Sequence, residues 1–77
     1  MPKIEISKLH TTEMGIVRIK RNLGLDTDDV VAWCKQAVGS ADNKSITQRG
    51  KNWYVHGDGY VLTINVNSHT IITAHKA

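Results

Sequence analysis

The chain has 77 residues, 40% hydrophobic and 22% charged, with a formal net charge of +3. That length supports one domain, 1–77, with a small core, and those proportions exclude a disordered chain. A single Cys excludes an internal disulfide, and no stretch is apolar for long enough to span a bilayer.

The N-terminus lacks the apolar run of a signal peptide, so a cytoplasmic protein without membrane association is expected. The basic excess permits an acidic partner such as RNA without requiring one. Phe is absent, which leaves Trp33, Trp53, Tyr54 and Tyr60 to supply the aromatic bulk. Dimerisation is a natural way to enlarge so small a core.

Lys-Ile-Glu-Ile-Ser at residues 3–7 alternates polar and apolar side chains and suits a short edge strand. Thr11-Thr12-Glu13 opens a first helix, with a hydroxyl to cap a backbone N–H and an acid at the positive end of the dipole. Ile16, Ile19 and Leu23 form its apolar stripe, Arg18, Lys20 and Arg21 suit its negative end, and Gly24 terminates it. Asp26-Thr27-Asp28-Asp29 opens a second helix, whose apolar face carries Val30, Trp33, Cys34, Ala37 and Val38. Gly39 is the predicted stop. Cys34 on that face reads as a buried, inert thiol.

Ser45 to Arg49 is the first strand of the main sheet, and Gly50-Lys51 turns the chain into Trp53. From Trp53 to Lys76, three runs rich in Val, Ile, Thr, Trp and Tyr are divided by His-Gly-Asp-Gly and by Asn-Ser. Asp58-Gly59 predicts a tight type I′ hairpin with positive φ at both residues. Short links make the sheet an antiparallel meander. The predicted architecture is α+β: two N-terminal helices packed on a four-stranded antiparallel meander, with a short N-terminal strand at its edge.

Pairing across Asp58-Gly59 sets Gly57 opposite Tyr60, Val55 opposite Leu62 and Trp53 opposite Ile64, all on the face turned to the helices. The other face then carries Tyr54, His56, Thr63 and Asn65. For the last hairpin, an odd loop Asn67-Ser68-His69 brings Ile72 and Ala74 to the core. It leaves Ile71, Thr73 and His75 on the open face. A two-residue loop reverses that choice.

The open face, with Arg49 and Lys51 at its edge, is where the residues can carry chemistry. Metal-independent RNA cleavage needs a base for the 2′-hydroxyl and an acid for the leaving 5′-oxygen, and histidine can serve as either at neutral pH. His56 and His75 are the candidate acid–base pair. Arg49, Lys51 or Arg18 would stabilise the phosphate, Thr73 would orient it, and Tyr54 would stack on a base. The four histidines, His10, His56, His69 and His75, fall at no metal-ligating spacing, and no cofactor-binding motif is present, so neither metal nor cofactor is expected.

The blocks TTE…RIKRNLGL, GKNWYV and IITAHK resemble a small bacterial family of unknown function across nearly the whole chain. A second likeness is to the barnase–EndoU–colicin–RelE group of ribonuclease toxins. It rests on His10 before the first helix, Arg18 within it, and the ending Ile71-Ile72-Thr73-Ala74-His75. That likeness implies RNA cleavage using His10, Arg18, Thr73 and His75. Two functions therefore stand: a toxin-like metal-independent endoribonuclease, or a non-catalytic module of phage or mobile-element type. The module would use the sheet face or edge to bind a protein partner or a second copy.

Overall fold

The computed structural model describes residues 4–76, the Asn43 side chain excepted. Two helices, α1 (Glu13–Leu23) and α2 (Val30–Ser40), precede four strands, β1 (Ile46–Arg49), β2 (Asn52–His56), β3 (Tyr60–Asn65) and β4 (Ile71–Lys76). The strands make one sheet in the order β1-β2-β3-β4, every neighbour antiparallel. This is the predicted α+β meander.

α1 begins where the sequence places it, because Thr12 Oγ1 accepts the Gly15 N–H at 3.0 Å. It stops at Gly24, whose φ of 63° is left-handed, and Lys20 and Arg21 occupy its last turn. α2 is capped by Asp29, whose carboxylate accepts the Ala32 N–H at 3.1 Å. Val30, Cys34 and Val38, spaced four apart, are its buried line.

The stop at Gly39 is corrected: α2 runs through it to Ser40. Gly39 lacks the positive φ of a terminator. Its value lies in the missing Cβ, since Ile6 Cδ1 sits 3.3 Å from where that atom would be.

The expected strand at residues 3–7 is also relocated. Lys3 lies outside the described residues, and Ile6–Lys8 form a 3-10 turn. A strand would put Ile4 and Ile6 on one face. The turn spreads them, so that Ile4 packs against the core, Ile6 reaches Gly39, and Leu9 is buried. The sheet-edge contact comes later, where His10 bridges Thr70 in parallel. There the Ile71 N–H donates to the His10 carbonyl at 2.7 Å, and the His10 N–H donates to that of His69 at 3.4 Å.

The β2–β3 register is as read from the sequence, with Trp53 opposite Ile64 and Val55 opposite Leu62. The turn differs. Gly59 has φ 85°, while Asp58 does not take the positive φ that a type I′ turn demands. The loop length is preserved, and the Gly57 N–H donates to the Tyr60 carbonyl at 2.9 Å.

The β3–β4 hairpin uses both candidate registers. Leu62 opposes Ala74 and Thr63 opposes Thr73, but Ile64 opposes Ile71, so Ile72 is an extra residue in β4. This bulge overturns the expected burial of Ile72: Ile71 is 1% exposed and Ile72 40%. The turn follows the other register, with the Asn65 N–H donating to the Thr70 carbonyl at 2.8 Å. Asn65 Oδ1 accepts the N–H groups of Asn67 at 2.9 Å and Ser68 at 3.0 Å. That caps the turn from within.

Ile19, Leu62, Ile64, Ile71, Val30, Val55 and Cys34 are wholly buried. Each large aliphatic among them contributes about 1.5–3 kcal/mol by leaving water. Ile71→Ala is expected to cost about 2–5 kcal/mol in urea unfolding, as a cavity-forming core change. Ile72→Ala should cost less than about 1 kcal/mol. Equal costs would place both isoleucines in the core and remove the bulge.

Candidate functional site

Alternation along the strands sorts the open face into rows. His56, Val61 and His75 make one row at the end nearest the Asp58-Gly59 turn. Thr47, Tyr54, Thr63 and Thr73 make the next, and Arg49, Asn52 and Asn65 the row at the far end. Val61 is 8% exposed yet stands outside the core cluster, shielded by its neighbours on this face.

His56 and His75 thus flank Val61, two strand spacings or about 10 Å apart. Thr73 lies on the same face, two residues from His75, and Tyr54 is likewise two residues from His56. The cations stand elsewhere. Arg49 opposes Asn52, which places it about 13 Å along the strand from His56. Lys51 is in the β1–β2 turn beside it, and Arg18 lies on the exposed side of α1 with Glu13, Met14, Val17 and Arg21.

His10 is apart from all of them. It bridges Thr70, about 15 Å along β4 from His75. Its Nδ1 lies 2.9 Å from the Lys8 carbonyl, which can only accept, so that nitrogen carries a proton. In the neutral ring Nε2 then accepts from the Thr70 hydroxyl at 3.0 Å, and Thr70 Oγ1 meets Ser68 Oγ at 2.7 Å. His69 adds to the same join. Its Nε2 accepts the Glu5 N–H at 3.2 Å, and its ring stands edge-on to Trp53 at 5.2 Å. These two histidines fasten residues 4–12 to the β3–β4 hairpin.

Apart from a hollow of about 310 Å³ on α1, lined by Glu13, Met14, Val17, Arg18 and Arg21, three hollows gather around Tyr60. One of about 370 Å³ lies between the end of α2 and the β2–β3 turn, lined by Ala37, Ser40, Asp42, His56, Asp58 and Tyr60 among others. A second of about 270 Å³ and a third of about 230 Å³ share Trp33 and Tyr60 as a common wall. The two rings meet edge to face with centroids 5.1 Å apart. Tyr60 lies over Gly57 so closely that a Cβ there would enter the ring. Burial raises the Tyr60 phenol above its ordinary value, and the nearness of Cys34 and Asp58 adds to the rise. The pairing of Gly57 with Tyr60 was readable from the sequence, whereas the approach of α2 to it was not.

Among the described residues, no three His, Cys, Asp or Glu side chains converge to hold a metal ion. None of the described helices is long and apolar enough to cross a membrane.

The family described as "Protein of unknown function (DUF3781)" matches residues 4–75. The chain belongs to the DUF3781 family. No curated protein and no solved structure matches it. The likeness to the ribonuclease toxins gains no support from these comparisons, while the family recognised from the three sequence blocks is one of unknown function.

In this DUF3781 chain Cys34 is fully buried, and burial pushes its thiol from 9.0 up to about 11. A thiol so held is a poor nucleophile. It should resist thiol reagents at neutral pH until the protein unfolds. The unfolded chain releases the thiol proton near its ordinary value, while the folded chain keeps it until about 11. Stability contributed by the neutral thiol is therefore present below pH 9 and is lost as pH rises toward 11. Unfolding of wild type and Cys34→Ala compared across that window isolates the effect. A difference that does not change with pH would contradict the buried thiol.

Proposed function

We propose that this DUF3781 protein is a non-catalytic interaction module that takes a partner's strand on the free edge of β1. The unequal treatment of the two sheet edges carries this reading. The β4 edge is closed group by group. His10 pairs with the chain about Thr70, the Thr11 hydroxyl donates to the Ile71 carbonyl at 2.7 Å, and Asn22 Nδ2 donates to that of Ala74 at 3.0 Å. Among the described residues, nothing pairs with the outer side of β1, where Thr47, Gln48 and Arg49 are exposed. An unpaired edge is a template for strand addition, with main-chain bonds giving affinity and alternate side chains giving selectivity. The flat face beside it, bearing Thr47, Tyr54 and Arg49, would supply the second kind of contact.

The ladder alternation names the residue to test. Gly57 bonds across to Tyr60, so Trp53 and Val55 point their backbone groups at β3, and Asn52 and Tyr54 point theirs at β1. Arg49 and Thr47 receive those bonds, which leaves Gln48 facing outward. Gln48→Pro removes an outward N–H and no ladder bond, a change tolerated on an edge strand. It should abolish self-association in sedimentation, or retention of a specific protein from a nuclease-treated extract, with little change in thermal unfolding. Thr47→Pro should unfold the hairpin. Association that survives Gln48→Pro would rule out the β1 edge.

The row of His56, Val61 and His75 favours a second reading, metal-independent RNA cleavage with the two histidines as acid and base. RNA incubated with the protein in EDTA should then yield 2′,3′-cyclic phosphate ends. His56→Ala and His75→Ala should each abolish them. Cleavage retained in both variants would remove this pair.

A further inference from the structure

The hollows around Tyr60 have a chemistry opposite to that of the whole molecule. The chain carries a net charge of +3. Yet the largest of the three hollows is lined by two acidic side chains, Asp42 and Asp58, and by no Lys or Arg. Neither carboxylate forms an ion pair among the described residues. α2 adds to the negative character. Its final residues form one wall, so the negative end of its dipole faces the opening, and its last turn holds no basic residue. α1, by contrast, is compensated by Lys20 and Arg21.

The remaining wall is aromatic. Trp33 and Tyr60 are both partly exposed and meet at a steep 61°, which leaves part of the indole and phenol surfaces open to the hollows. Aromatic faces are electronegative and attract cations, most of all a planar guanidinium that can stack while its fork engages a carboxylate. Asp58 lines two of the three hollows, so it stands beside both the aromatic wall and the acidic opening. Lys76 also lines the second hollow, the one in which Trp33, Tyr60 and Asp58 meet, and a guanidinium bound there would share Asp58 with it.

From the aromatic pair, the two carboxylates and the uncompensated helix end, we infer that the groove around Tyr60 binds an arginine side chain presented by a peptide segment of a partner protein. The guanidinium stacks on the Trp33–Tyr60 wall and bonds to Asp58, and the flanking peptide runs along the end of α2 past Ser40. The three hollows share Tyr60 and are open to solvent, which suits a chain more than a small free molecule. This surface reaches Ser45, just before β1, but includes none of Thr47, Gln48 and Arg49, so its occupancy does not depend on strand addition there.

Titration with the acetylated and amidated tripeptide Gly-Arg-Gly, followed by amide and indole NMR shifts, tests the inference. Saturable shifts are expected at the Trp33 indole N–H and at the amides of Ser40, Gly57 and Gly59. Asp58→Asn keeps a good turn residue and should weaken binding about three- to fivefold, the loss typical of an exposed charge contact. Tyr60→Leu should remove most of the shift, and Asp58→Asn provides the readout should that variant fail to fold. Gln48→Pro should bind like the wild type, which separates this groove from the β1 edge. Equal binding of the peptide with citrulline in place of arginine would overturn the inference, because citrulline has the shape without the charge. Arginine amide binding as tightly as the peptide would overturn the peptide partner. An absence of saturable shifts would overturn the site itself.

Discussion

Between Ile71 and Thr73 the last strand carries one residue more than its partner, and much of the packing depends on that extra residue. With strict alternation from Ala74, the core position would fall to Ile72, and Ile71 would face solvent. The bulge instead keeps Thr73 and His75 beside Thr63 and Val61, and still turns Ile71 into the core. It also turns the Ile71 backbone outward to His10 and Thr11. Those residues lead directly into α1. One local irregularity therefore fixes where the first helix lies along the sheet.

The same device explains why the N-terminal segment matters in so small a domain. Leu9 enters the core, Ile6 meets Gly39 of α2, and His10 closes the edge of β4. Three weak contacts distributed along one segment act together because each orders the backbone needed by the next. His69 has φ 60°, in the left-handed region that His, Asn and Asp adopt more readily than other residues with a Cβ. In that conformation its ring lies against Trp53 and accepts the Glu5 N–H. Among the described residues, the Trp53 indole N–H has no hydrogen-bond partner although it is buried.

Sequence reading recovers what local chemistry dictates and misses what distant contacts impose. Thr12, Asp29 and Gly24 mark helix ends through bonds to their own neighbours, so they are legible. The β2–β3 register is legible because only one pairing puts Trp53, Val55, Leu62 and Ile64 on one face. Gly39 misleads because its role is set by Ile6, far away in the chain. Ile71 and Ile72 cannot be ranked by alternation, since both are isoleucine and the bulge answers to His10. Parity ties Tyr54 to His56 and Thr73 to His75, but the two pairs become legible as one set only when the odd-loop register is chosen for the last hairpin. Their separation from His10 and Arg18 is not legible, because it depends on which side of the sheet edge α1 occupies.

Charge is distributed as unevenly as the hydrogen bonds. On α1, Arg18 and Arg21 flank Met14 and Val17 on an exposed surface, whereas the end of α2 meets Asp42, Asp58 and two aromatic rings. A net charge of +3 is thus a poor guide to any one surface. It raises the expectation of an acidic partner for the molecule as a whole, but screening confines each patch to its own neighbourhood, about 8 Å at physiological salt. The histidine row lies between these regimes. His56 borders the acidic groove while Arg49 and Lys51 stand at the other end of the sheet, and the cation nearest the row is Lys76, next to His75 and opposite Tyr60. A phosphodiester bound across His56 and His75 would therefore meet carboxylates on one flank and a single ammonium on the other.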